Sequence, residues 1–225
     1  MLWKWRNMNL FQEDFVWPQD PRAAVFKLVA EVLNAEDNWK RLSPTKQKSN
    51  IWVSWVTPPD HWVKLDTNGA SRENSRPASA VGVIRNCSGE WMPFGKKLGL
   101  CCSVRAELWA LRLGLLVAKD NGFRRVMVEA DSLVILQLIN DDVCQINAYR
   151  PIICDIQRLM KMDWEVCMNH TYCEGNRVAD FLTNYILDGH ECDVIWLYPP
   201  ALVHPFIEAD SAGVAWQRRV ANLVS

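Results

Sequence analysis

Alternating apolar and polar residues predict strands in the middle of this 225-residue chain. The segment Trp62–Thr67 alternates like a half-buried strand and runs into Asn68-Gly69, where we expect it to end. Two more strands are predicted at 79–85 and 90–100, with a hairpin turn between them. The three strands are therefore expected to form an antiparallel meander.

Helical periodicity begins after this meander. Ser103 is expected to cap a long helix that reaches about Asn121 and ends at Gly122, because glycine is favoured just beyond a helix terminus. The elements predicted after it are a buried strand at 125–130, helices at 132–139 and 149–162, a strand at 164–170 and a helix at 176–187. This order predicts an α/β fold in which helices flank a mixed five-stranded sheet.

The rest of the chain is divided by its patterning into flanking segments. Residues 1–40 form an N-terminal extension, in which Asp20-Pro21 is expected to open an amphipathic helix. Residues 41–61 lack periodicity and contain several prolines, which predicts a linker. The predicted α/β domain is expected to span residues 62–190. The C-terminal tail at 191–225 receives no assignment.

Composition limits the classes of function. The net charge is −1, from 25 basic and 26 acidic residues, which argues against a protein held to nucleic acid by bulk charge alone. The eight cysteines contain no CxxC pair, so we expect reduced thiols and no structural zinc. No apolar run approaches the ~20 residues of a membrane span, so a soluble intracellular protein without membrane contact is expected, with nucleus and cytoplasm not distinguished.

Three acids stand on separate predicted elements. Glu107 lies in the first turn of a helix, Asp131 follows a buried strand, and Asp180 lies in the last helix. Each also has an ordinary structural interpretation: the helix dipole favours Glu107, a helix N-cap accounts for Asp131, and Asp180 is compatible with a solvated surface. Together, carboxylates on separated strands and helices are typical of proteins that gather divalent cations to cut a phosphodiester.

Four motifs carry a family resemblance over about residues 60–190. The order and spacing of these motifs resemble a type 1 ribonuclease H domain, specifically the plant version found in genes descended from LINE-type retrotransposons. The motifs are Leu65-Asp66-Thr67-Asn68-Gly69, Ala106-Glu107-Leu108, Glu129-Ala130-Asp131-Ser132, and His170 followed by Gly175-Asn176-Arg177-Val178-Ala179-Asp180.

The resemblance implies a ribonuclease H-like fold and cleavage of the RNA strand of an RNA–DNA hybrid. It implies a two-metal site for Mg²⁺ or Mn²⁺, with Glu107, Asp131 and Asp180 as ligands. His170 falls where the family has a histidine that assists proton transfer or product release. Asn176 and Arg177 are the candidates for contacts with the substrate backbone.

One position departs from the family pattern. The family has Asp immediately before the glycine, whereas this chain has Asn68, and the neighbouring Asp66 makes it look as if two residues had exchanged. Asp66 is a further candidate ligand, but strand geometry puts it ~6.6–7 Å from residue 68 along the same face. The expected result is an intact fold with strongly reduced cleavage. Three readings stay open: an active hybrid endonuclease, a catalytically weak module that binds nucleic acid or a protein partner, and a transposon remnant without a selected role.

Overall fold

A computed structural model describes Asp20 and residues 48–72, 76–140, 148–189, 193–196, 198 and 200–221. The chain divides into two compact units, Asn50–Arg218 and a second made of residues 1–49 and 219–225. The helix predicted after Asp20-Pro21 falls outside the described residues. The side-chain contacts discussed below lie within the first unit.

The described elements follow the predicted order from residue 63 to residue 187. They are β1 (Lys48–Val53), β2 (Val63–Ser71), β3 (Arg76–Asn86), β4 (Trp91–Cys101), α1 (Ser103–Asp120), β5 (Arg125–Ala130), α2 (Leu133–Asn140), α3 (Arg150–Met160), β6 (Glu165–His170), α4 (Arg177–Leu187), β7 (Asp193–Ile195), α5 (His204–Ser211) and β8 (Trp216–Ala221). None of these described helices is long and apolar enough to cross a bilayer.

The five predicted strands form the main sheet in the order β6-β5-β2-β3-β4, and the short strand β7 joins its β4 edge. The pairs β2–β3, β3–β4 and β4–β7 are antiparallel. The pairs β2–β5 and β5–β6 are parallel. The predicted mixed sheet is therefore confirmed. A separate two-stranded sheet pairs β1 with β8.

Helices cover both faces of the sheet because alternate strand residues are apolar on each side. On one face, Leu65 packs with Leu108 and Leu111 of α1. On the other face, Val81 and Val83 pack with apolar residues of α4. The α1 and α4 helices thus lie on opposite faces of β2 and β3. Side chains from both helices can meet at the ends of these strands.

The glycine after Asn68 does not make the predicted turn. Strand β2 continues to Ser71, and Gly69 pairs with Ala80 of β3. A Cβ atom at Gly69 would lie 2.2 Å from the backbone carbon of Ala106 and 2.2 Å from the backbone nitrogen of Glu107. The physical reason for glycine is therefore the close approach of β2 to the first turn of α1.

The ends of α1 match the prediction at one terminus only. Gly122 has a φ of +75°, and its N–H bonds the carbonyl of Lys119, which confirms the predicted glycine stop. Ser103 does not cap the helix: Cys102 is the N-cap residue, and no side chain there accepts a capping hydrogen bond.

The flanking segments contribute more structure than the sequence pattern predicts. The linker predicted at 41–61 contains β1, and its Trp55 is buried. The unassigned tail contributes β7, α5 and β8. The compact unit Asn50–Arg218 extends past both predicted domain boundaries, because side chains from these segments pack on the sheet.

Candidate active site

The carboxyl ends of three parallel strands define the site. Thr67 of β2 pairs with Ala130 of β5, which in turn pairs with His170 of β6. Asn68 and Asp131 are the next residues on their strands, so the register brings them to neighbouring positions at one edge of the sheet. The Thr171 N–H donates to the Ala130 carbonyl at 3.0 Å, which extends this alignment past His170.

Glu107 and Asp180 reach the same edge from opposite helical layers. Gly69 lets the first turn of α1 approach β2, and its backbone N–H donates a hydrogen bond to the Glu107 carboxylate. On the other face, Nδ2 of Asn68 donates to Oδ1 of Asp180 in α4 at 3.1 Å. The structure therefore brings Asn68, Glu107, Asp131 and Asp180 together.

Burial and neighbouring acids raise the pKa values of Glu107 and Asp131. Burial is the largest cause of the raised pKa of Glu107, and repulsion from Asp131 and then Asp180 adds to it, giving a value of about 8. Burial also raises the pKa of Asp131, again with a contribution from Asp180. Removing water and adding like charges both disfavour ionised carboxylates. The site concentrates negative charge that the protein compensates only weakly.

Compensation by cationic side chains is limited to longer range. Arg218 and His170 lower the pKa of Asp131 through space, without reversing the shift. Over the residues that the structure describes, no lysine or arginine forms an ion pair with Glu107, Asp131 or Asp180. The same ranges contain no group of three His, Cys, Asp or Glu side chains arranged to hold a metal ion.

His170 lies at the end of β6, beside this group. Its ring contacts Tyr172 edge-on, with centroids 5.1 Å apart and planes at 85°. The charge of His170 acts to lower the pKa of Asp131. His170 ends the strand that pairs with β5, and Asp131 directly follows β5.

Asp66 is not a member of this group, and its candidacy as a ligand is corrected. Its side chain is fully buried, and Oδ2 accepts hydrogen bonds from Arg85 at 2.7 Å and from the Trp55 indole at 3.1 Å. Arg85 also donates to Asp210 at 2.6 Å. Asp66 shares a strand face with Asn68, but its charge is committed to Arg85 below the site.

Of the two proposed substrate contacts, that of Asn176 is corrected. Asn176 is buried, and its Nδ2 donates to the Thr67 carbonyl at 2.8 Å, so it anchors the start of α4 to the end of β2 instead of facing a substrate. The Arg177 guanidinium lies 3.9 Å from the centroid of a Trp216 ring and 4.8 Å from that of Phe206, which is cation–π stacking distance. Arg177 is partly exposed and lines a cavity with Asp180, so its contact with a substrate stays a prediction.

Two groups of residues near the site were missed by sequence reasoning. Trp216 and Arg218 come from the tail, where no motif or clear periodicity marked them. Arg85 and Asp210 form a buried ionic contact between β3 and α5. The available signal was a charged residue in an otherwise apolar strand, as with Arg85 in 79–85, because buried charges need partners.

Comparisons with known proteins agree with this architecture. Residues 66–186 match the model of the family described as reverse transcriptase-like. A protein of Arabidopsis thaliana, provisionally named as a ribonuclease H protein, is 33% identical over 97% of this chain. The chain spans 35% of the length of that relative.

Solved structures show the same fold. The ribonuclease H1 of Halobacterium salinarum is 26% identical, with a TM-score of 0.53, and covers 56% of this chain and 98% of its own. The N-terminal ribonuclease H domain of a Mycobacterium tuberculosis protein is 21% identical, with a TM-score of 0.53, and covers 56% and 94%. The ribonuclease H1 called LC11, solved in complex with an RNA/DNA hybrid, is 23% identical, with a TM-score of 0.51, and covers 57% and 98%. This chain therefore belongs to the reverse transcriptase-like family and has a ribonuclease H-like fold.

Proposed function

We propose that the unit Asn50–Arg218 binds RNA–DNA hybrids and hydrolyses their RNA strand, with cleavage strongly reduced by Asn68. The observation that carries this proposal is the convergence of Glu107, Asp131 and Asp180, from three separate elements, at one edge of the sheet. Acids that repel one another without a protein cation are poised for a cation or for a polarised substrate. The solved LC11 enzyme with bound hybrid supports the choice of substrate class.

The donor chemistry fits a hard divalent cation such as Mg²⁺ or Mn²⁺, which prefers carboxylate oxygens. Glu107, Asp131 and Asp180 would hold such an ion after their side chains converge further, since the described arrangement contains no three-ligand cluster; the bound ion would offset their repulsion and polarise a water molecule. A pair of cations fits less well, because residue 68 is an amide that carries no charge and donates an N–H to Asp180.

The chain's own residues have separable roles in this proposal. Gly69 and Asn176 set the spacing of α1 and α4 around the end of β2. Asn68 holds the Asp180 carboxylate by its amide N–H. His170 accepts or delivers a proton beside Asp131, a role that imidazole side chains commonly serve in catalysis. The exposed Asp180 marks the side from which water enters.

A second function is favoured by the Asn68–Asp180 hydrogen bond. This contact satisfies Asp180 without a metal, so the domain is competent to bind a duplex while cleaving it poorly or not at all. The near-neutral charge of the chain predicts modest affinity that weakens with salt. A binding module of this kind would retain hybrid in a gel-shift experiment without releasing products.

Cleavage of a labelled RNA–DNA hybrid in Mg²⁺ and in Mn²⁺ tests the proposal. We expect Asn68→Asp to raise the rate over the parent by about 10³-fold, because losing a key catalytic group commonly costs that much. Asp131→Asn in the Asn68→Asp background is the inactive control. A parent as fast as Asn68→Asp contradicts the role given to Asn68, and an inactive Asn68→Asp that still binds hybrid supports the binding module.

A further inference from the structure

Three residues of the tail, Trp216, Gln217 and Arg218, lie against the turn that follows His170. We call them the C-terminal clamp. Nη1 of Arg218 donates to Oε2 of Glu174 at 2.7 Å and to Sγ of Cys173 at 3.1 Å. The same guanidinium lies 4.5 Å from the centroid of the Tyr172 ring. One side chain therefore contacts three consecutive residues of the turn.

The held turn is directly connected to His170. Tyr172 packs edge-on against the His170 ring, so the aromatic ring that Arg218 covers is also the one that contacts the imidazole. The other side of the turn is fixed to the sheet by the Thr171 hydrogen bond to Ala130. Movement of the turn away from the sheet would therefore carry Tyr172 off the His170 ring.

The clamp also forms part of the wall of the site. Trp216 stacks on Arg177 in the first turn of α4, the turn that carries Asp180. A cavity of about 360 Å³ opens between the clamp and α4. Its lining residues are Cys173, Glu174, Arg177, Asp180, Trp216 and Gln217.

We propose that Arg218 is a positioning residue of the acidic site, which holds the Tyr172–Glu174 turn and thereby fixes the His170 imidazole beside Asp131. This inference rests on the proposed function for its catalytic consequence. The Arg218–Glu174 ion pair is partly exposed, with side chains 33% and 25% accessible, and a pair of that kind contributes little stability alone. Its effect comes from geometry, because a planar guanidinium stacks on Tyr172 while it bonds Glu174, which lysine cannot reproduce.

Backbone hydrogen exchange tests the holding of the turn without requiring activity. The N–H groups of Gly175 and Asn176 bond the carbonyls of Tyr172 and Cys173, and we expect their exchange to be several-fold faster in Arg218→Gln. The Asn86–Glu90 turn, closed by similar backbone bonds, serves as the internal reference. Arg158→Gln is the matched control, because Arg158 forms its exposed ion pair with Asp155 inside helix α3 and not with the turn.

Kinetics in the Asn68→Asp background test the catalytic consequence. We expect Arg218→Gln to lower kcat about ten-fold with KM nearly unchanged, since small misplacements of a catalytic group have effects of this order. Arg218→Lys should lie between, and Arg158→Gln should match the parent. Unchanged exchange, faster exchange with unchanged kcat, or a raised kcat would each overturn the proposal.

Failure of the proposed function gives a different result. If no Asn68→Asp protein cleaves hybrid, the Cε1–Hε1 NMR signal of His170 decides the question, assigned by its loss in His170→Gln. A signal that shifts in Arg218→Gln but not in Arg158→Gln supports positioning of the imidazole by the clamp. A signal that stays in place overturns it.

Discussion

Two groups of acids lie next to neighbouring positions of strand β2, one around Asp66 and the other around Asn68. The protein balances their charges in opposite ways. In the first, Asp66 is fully buried and is neutralised by Arg85, which also binds Asp210. In the second, Glu107 and Asp131 meet Asp180 with no ion pair to a cationic side chain within the described ranges. Asp66 and Asn68, two residues apart on one strand face, belong to different regions.

The physical difference is visible in the causes of the pKa shifts. Burial lowers the pKa of Arg85, but the charges of Asp66 and Asp210 outweigh it and raise the pKa overall. Burial raises the pKa of Asp210, and the charge of Arg85 opposes that shift. The second region consists of Glu107, Asp131 and Asp180, and we call it the open group. There, burial and neighbouring acids both raise the pKa of Glu107. Paired charges belong to the scaffold, whereas acids that repel one another point to an external cation or substrate.

The largest effect is expected from breaking the buried network of Asp66, Arg85 and Asp210. Arg85→Ala leaves Asp66 and Asp210 buried without their partner, and we expect a loss of about 3–5 kcal/mol in the free energy of unfolding. Urea unfolding measures it. Arg112→Ala is the control, because Arg112 pairs with Asp155 in a more exposed position and should cost less than about 1 kcal/mol. Equal losses in the two variants would contradict the special role of the buried network.

The second largest effect is expected from disrupting the close approach of β2 to α1, which brings Glu107 into the open group. Gly69→Ala forces a Cβ into the backbone of Ala106 and Glu107, and we expect a loss of about 2–3 kcal/mol. Gly114→Ala is the matched control: the three atoms nearest to its Cβ belong to the side chain of Leu65, which can shift more readily than the backbone that Gly69 faces. A Gly69→Ala protein as stable as Gly114→Ala would show that β2 and α1 do not need this contact.

A smaller effect is expected when the neutral amide of residue 68 is replaced by a carboxylate. In the presence of a chelator, Asn68→Asp replaces the amide donor to Asp180 with a second carboxylate, and we expect a loss of about 1–2 kcal/mol. Saturating Mn²⁺ should restore the loss, since ligand binding stabilises the folded state. Thermal unfolding of parent and variant, with and without Mn²⁺, measures both parts. A parent that gains as much from Mn²⁺ as the variant would contradict the weak cation binding assigned to Asn68.

The smallest effect is expected from relieving repulsion in the open group. Asp131→Asn in a chelator should leave the free energy of unfolding unchanged or raise it by about 0.5 kcal/mol, because it removes one of the charges that oppose Glu107. Chemical unfolding beside Arg85→Ala gives the contrast directly. A strong loss of stability in Asp131→Asn would place this acid in the scaffold instead.

The main elements of the fold were predictable from periodicity. Strand β5 begins and ends where its apolar run predicts, and the order of strands and helices from β2 to α4 matches. The misses have local causes. The Asn68-Gly69 pair looks like a turn in sequence, yet the glycine serves a contact with a helix that begins at Ser103, which no window around residue 69 reveals.

The candidate site was predictable only in part, and its residue assignments remain proposals. Glu107, Asp131, Asp180 and His170 were identified by motif order, and the structure brings them together at one edge. Asn176 fits the same motif but is buried and bonds the Thr67 carbonyl. A motif records which residues occur in order, whereas burial depends on what packs above them.

The sequence by itself determined the strand and helix order, the glycine stop of α1 and the set of acids available for chemistry, because these follow from local periodicity and residue type. Only the tertiary structure decided which acids are free. Asp66 is neutralised by Arg85, which also binds Asp210, and Arg218 reaches the turn after His170. These contacts join residues far apart in the chain, and a charge becomes scaffold or site according to the partners that folding brings to it.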